Sequence, residues 1–154
     1  MSVLLLVLAA AATNPVTVGA VVVDVPKSMA TKVVADESGS VDVVVGEAGK
    51  DTCMIGVEVY SEAAADRPKD LAALATAVDE DHTAPFEVVE RAHKVKLATK
   101  DVIRGATKSG KSGRLQRQAA FFVKGNAVVL SFYVLAAGGC AAIEEPMIAS
   151  ARSK

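Results

Sequence analysis

The 154-residue chain has no tryptophan, only 4% aromatic residues, two cysteines and two histidines, and no excess of one charge, the formal net being −1. Each shortage excludes something. Two cysteines, Cys53 and Cys140, cannot build a disulfide framework. They read as two small buried apolar residues, a single bridge being the alternative for an exported chain. A net charge near zero selects neither nucleic acid nor a membrane surface as partner. None of the serines sits in a G-x-S-x-G elbow. His93 lies among Arg91, Lys94 and Lys96 with no acid evident to orient it, so a catalytic triad is not expected. His82 closes the run Asp79-Glu80-Asp81-His82, but neighbours on a helix point in different directions. That run reads as a solvated helix end, and no metal or cofactor is expected.

The apolar run from Met1 to Ala12 is too short to span a bilayer comfortably. No Lys or Arg precedes it, as a secretory signal usually requires. It reads as a buried strand, Val3 to Ala11, joined through Thr13-Asn14-Pro15 to a second strand at Val16. This reading leans cytoplasmic, whereas a signal peptide would make the protein exported.

What the chain does hold is valine and alanine, in a composition that is 51% hydrophobic and 23% charged. The length suits one domain spanning 1–154 with a real core. Valine's β-branch suits a pleated surface, so a sheet should dominate. Val16 to Val25 reads as one strand stopped by Pro26. Val41 to Val45 and Thr52 to Tyr60 form a hairpin through Gly46 to Gly49. Asp66 is placed to cap a helix with Pro68 in its first turn and Leu71, Leu74 and Val78 at helical spacing, running to about Asp81. The second half is an antiparallel meander: Phe86 to Leu97, bent; Val102 to Thr107; a turn at Lys108 to Gly113; Arg114 to Lys124; the hairpin signal Gly125-Asn126; and Ala127 to Ala136. After Gly138-Gly139, Cys140 to Ser153 reads as a last helix interrupted or restarted at Pro146.

One motif is complete in spelling. Gly105-Ala106-Thr107-Lys108-Ser109-Gly110-Lys111-Ser112 satisfies G-x-x-x-x-G-K-[ST], in which backbone amides cradle phosphate while the Lys and Ser reach the terminal phosphate and the metal. The context is wrong for it. A helix must follow, but Gly113 and the strand-like RLQRQAAFFV come next, and only 42 residues remain for further βαβ units. The segment reads as a flexible basic hairpin tip, nucleotide binding through Lys111 and Ser112 being the alternative.

Charge placement carries more. From Lys94 to Lys124 the chain holds nine basic residues against Asp101 alone, so by difference the rest carries about −9. Such a molecule steers a basic face toward an acidic partner. Lys94, Lys96, Lys108, Lys111, Arg114 and Arg117 are the expected partner-binding residues. Lys94 with Lys96, and Arg114 with Gln116 and Gln118, should mark exposed strand faces. Nucleic acid is the weaker partner, since no aromatic side chain interleaves with the basic ones before Phe121 and Phe122. Homodimerisation through an exposed Val-rich edge strand stays open.

The order of elements also resembles a known group. A V-x-V-P-K phrase (Val23 to Lys27), a strand pair, a capped helix, the stretch R-x-x-R-Q-A-A-F-F-V-K-G-N-A-V-V-L-S-F (Arg114 to Phe132) and a closing Ile148-Ala149-Ser150 are together similar to the PsbP-like superfamily. That group includes photosystem PsbP, Ran-binding Mog proteins and small bacterial lipoprotein or chaperone domains. The likeness covers nearly everything after Val16; Ser28-Met29 stand where the family usually has a Trp. It implies an α+β fold, an antiparallel sheet flanked by helices in an α/β/α sandwich. It also implies a non-catalytic role, docking onto a larger complex or chaperoning a partner, with no catalytic residues to carry over.

Overall fold

A computed structural model of the chain describes residues 13–26, 30–35, 41–47, 50–80, 86–97 and 99–154. The apolar run from Met1 to Ala12, and His82 with Asp81, lie outside the described residues.

The valine-rich start is two strands where the sequence suggested one. β1 (Thr13–Val18) and β2 (Val21–Pro26) pair antiparallel with Val18 opposite Val21. Gly19 makes the turn at φ +56°, a conformation only glycine adopts cheaply. The β-branched run is unbroken on both sides of Gly19-Ala20, and that hid the turn. Thr13 to Pro15, expected as a connection, already belongs to β1. β1 pairs with β2 alone, so the missing amide of Pro15 costs no ladder bond.

β3 (Ala30–Ala35), β4 (Val41–Glu47) and β5 (Lys50–Tyr60) follow, and β4 and β5 form the expected hairpin. α1 (Leu71–Glu80) buries Leu74 and Val78 as its periodicity requires. Its cap is Asp70, not Asp66: the Asp70 carboxylate accepts the Ala73 amide at 2.8 Å, so Pro68 falls ahead of the helix. The meander is as expected, with β6 (Phe86–Leu97), β7 (Lys100–Ser109), β8 (Leu115–Val123) and β9 (Asn126–Val134). Register shifts near Glu90 supply the bend in β6. Lys124 and Gly125 both take positive φ, +44° and +80°, in the tight turn between β8 and β9.

The closing helix is shorter than expected. Residues 140–143 form turns, α2 spans Glu144–Ser150, and β10 (Arg152–Ser153) pairs with β2. Pro146 lies in the first turn of α2, where an amide has no partner within the helix, so the helix begins there unbroken.

Two antiparallel sheets result, one ordered β1-β2-β10 and one ordered β3-β4-β5-β9-β8-β7-β6. α1 covers one face of the larger sheet over Ile103, Ala120, Ala127 and Val129. On the other face, α2 and the small sheet bury the larger core, which includes Ile55, Phe121, Leu130, Phe132 and Met147. Cys53 and Cys140 sit in that core and are bonded to each other, in place of the two separate thiols expected. The fold is therefore α+β, mostly strand, with helices on both faces of an antiparallel sheet. Among the described residues no helix is long and apolar enough to cross a membrane.

Candidate functional site

The phosphate-loop spelling folds into a hairpin. Gly105 to Lys108 are hydrogen-bonded between β6 and β8, so their amides face neighbouring strands rather than a ligand. The turn that follows is closed on itself. Ser109 N–H donates to the Arg114 carbonyl (2.9 Å), Gly113 N–H to the Ser109 carbonyl (2.8 Å) and Ser112 N–H to Ser109 Oγ (3.3 Å). Gly113, at φ +65°, lets the chain return into β8. No helix follows, and the amides of Ser109, Ser112 and Gly113 are spent within the turn.

The basic residues of the stretch divide into groups with different partners. Lys94 and Lys96 lie on β6 and share Asp101, at 3.9 and 3.2 Å. Lys100 Nζ donates to the Ala149 carbonyl of α2 at 3.0 Å. Arg104 and Arg117, on neighbouring strands, both reach the carboxylate of Glu144, at 2.5 and 3.4 Å. Glu144 is 6% exposed at its side chain, so this cluster ties the sheet to α2 and one buried carboxylate engages both arginines. Lys108, Lys111 and Arg114 are what remains at the β7–β8 turn. All three are exposed, and among the described residues no carboxylate comes within ion-pairing distance of them.

The six expected binding residues are thus not one patch. Lys94 lies opposite Ile103 and Lys108 is five residues further along β7, about 17 Å at the rise of a strand. Arg114, just ahead of β8, lines the groove on the α1 side, while Arg117 on β8 reaches Glu144 of α2 on the other. Gln118, expected on an exposed row with Arg114 and Gln116, is buried, and its amide donates to Ser131 Oγ at 3.3 Å. His93 does have an acid beside it, Glu90, at 3.3 Å, brought close by the irregular pairing of β6. Both are about half exposed, which leaves an ordinary surface pair. Among the described residues no group of acidic, histidine and cysteine side chains is placed to hold a metal.

Strand register shows what adjoins the basic turn. Met54, Tyr133, Gln116, Thr107 and Val88 form one row across β5, β9, β8, β7 and β6. This row lies on the face that carries α1, four residues beyond the row of Ile103, Ala120 and Val129 that the helix covers. Past the helix the floor stays open. A groove of about 240 Å³ lies there, lined by Met54, Tyr133, Gln116, Leu135, Arg114, Ser109 and Phe86. Its wall is chiefly apolar, with Arg114 and Ser112 at the rim. Phe86 (42% exposed), Val88 (39%) and Val89 (57%) continue the apolar surface along β6. Their sequence signal was weak, because β6 is the outermost strand on that side and its exposed valines spell like buried ones. The row itself exists only once β5 is known to pair with β9.

No family model matches this chain, and no curated protein matches it. Solved structures do. A crystal structure from Bacteroides thetaiotaomicron superposes with a TM-score of 0.59 at 17% identity, covering 87% of this chain; this chain spans 45% of that protein's length. The solution structure of cyanobacterial PsbP from Synechocystis superposes with a TM-score of 0.60 at 15% identity, covering 96% of this chain and 95% of the other. Element order, the two flanked faces of the antiparallel sheet and end-to-end superposition agree, and the chain has a PsbP-like fold.

Proposed function

We propose that the protein is a non-catalytic docking or assembly module that meets an acidic surface of a larger complex through the β7–β8 turn. The observation that carries this reading is the set of three exposed cations, Lys108, Lys111 and Arg114, which have no carboxylate partner among the described residues. The other arginines of the stretch are spent on Glu144. The PsbP-like fold fits a non-catalytic assembly module at a coarse level. Clustered cations on a hydrogen-bonded turn act on encounter rate and orientation more than on affinity. The Arg fork adds a bidentate contact to a carboxylate where the lysines act as point charges.

The test is partner capture from nuclease-treated lysate with the full chain and with a Lys108→Glu, Lys111→Glu, Arg114→Glu variant. A stoichiometric protein held by the wild type should be lost in the variant. It should also weaken several-fold as salt rises from about 0.05 to 0.5 M, where the screening length falls well below 10 Å. Equal recovery by both proteins would refute the reading. So would binding that disappears with nuclease treatment.

A further inference from the structure

The groove beside the basic turn extends this reading and rests on it. It has an apolar floor (Met54, Tyr133, Leu135), an aromatic side wall (Phe86) and at one rim Arg114, a cation that no carboxylate among the described residues pairs. The site is concave, whereas insertion into lipid calls for a projecting apolar tip. Its volume is below that of most small-molecule sites, roughly 300–1,000 Å³, and matches one or two side chains. The charge next to it is positive: Glu87 stands opposite Lys108, and among the described residues no carboxylate pairs with Lys111 or Arg114. The chain's own apolar residues 1–12 contain no carboxylate to meet that charge.

We propose that this groove holds an extended segment of the acidic partner in which an apolar side chain is followed within one or two residues by Asp or Glu. The apolar side chain lies on Met54, Tyr133 and Leu135, and the carboxylate meets the Arg114 guanidinium. Burial of the apolar group supplies affinity, and the Arg contact fixes the direction of the segment. The cationic turn thus attracts partners of one sign, and the groove selects among them by sequence.

The full chain, its Arg114→Glu variant and a Lys94→Glu variant would each be screened against a positional-scanning hexapeptide library and against phosphatidylglycerol vesicles. The wild type should enrich peptides with Leu, Met or Phe one or two positions before Asp or Glu. Amide NMR shifts on adding the best peptide should centre on residues 109–116 with Met54, Tyr133 and Leu135. Arg114→Glu should weaken that peptide by about tenfold, the size of one charge-assisted contact. The variant should also turn the preference at the acidic position toward Lys or Arg, while Lys94→Glu should leave both unchanged. Absence of enrichment overturns the proposal, and this is also the outcome if residues 1–12 already fill the groove. Unaltered selection by Arg114→Glu, or binding to the vesicles alone, overturns it too. The outcome is separable from that of the docking reading: a partner lost on reversal of the turn charges, with no apolar-acidic selection, rejects the groove and keeps the docking module.

Discussion

Glu144 shows how far a single side chain's environment decides its worth. Its carboxylate is nearly buried, while Arg104 and Arg117 remain 29% and 39% exposed and so stay partly hydrated. Removal of the two kinds of partner should therefore be unequal. Arg104→Met leaves a buried charge with only the longer contact to Arg117, and urea titration should register a loss of about 2–4 kcal/mol. Glu144→Gln keeps an acceptor and releases two arginines toward water, for about 1–2 kcal/mol. Equal losses would mean that the carboxylate is better hydrated than its burial indicates. Gly139 is constrained in another way. A side chain there would collide with the backbone carbonyl of Thr52, which already accepts the amides of Leu135 and Ala136. Gly139→Ala should cost about 2–3 kcal/mol, because backbone on both sides must shift, and a lowered urea midpoint would report it. By contrast Gly125-Asn126 announced its hairpin locally. Asn126 is held by contacts nearby and remote, accepting the Glu62 amide and donating to the Val123 carbonyl. Local turn chemistry is legible in a sequence; Gly139 meeting Thr52 is not, since the two are far apart along the chain.

Hairpins, the capped helix and the meander were readable for the same reason, each being set by residues within a few positions. What failed was continuity. The Val-rich start hid a turn because both faces of β2 are buried and Thr17, exposed in β1, is as β-branched as the valines beside it. The last helix was overestimated because alanine and isoleucine spell helix and turn alike. The bond between Cys53 and Cys140 joins β5 to the turns ahead of α2 across 87 residues, and composition had argued for two thiols. Closing a loop of that length removes unfolded-state entropy equivalent to about 4–5 kcal/mol. A Cys53→Ala, Cys140→Ala protein, or wild type unfolded with reductant present, should lose stability of that order, read as a lower midpoint in urea. If the two forms unfold together, the bridge is absent from the protein in solution. Bridges of this kind persist in oxidising compartments, the setting that the exported alternative supplies.

The basic stretch was legible as a charge excess but not as a surface, because sheet register, not sequence distance, decides which charges meet. Three of the six expected residues adjoin one another on the β7–β8 turn; Lys94 and Lys96 lie further along the sheet, and Arg117 is turned toward α2. The groove could not be anticipated at all, for its floor comes from β5, β9 and the residue that follows it, and its rim from the β7–β8 turn. The small sheet adds a directional consequence. β1 and β10 flank β2 on the side of α2, and the Lys154 amide donates to the Ala20 carbonyl at 2.9 Å. Both ends of the described chain therefore leave from the back of the molecule, while the groove opens on the front beside α1. A tether or tag attached at Lys154 holds the protein from behind, and the groove still faces outward.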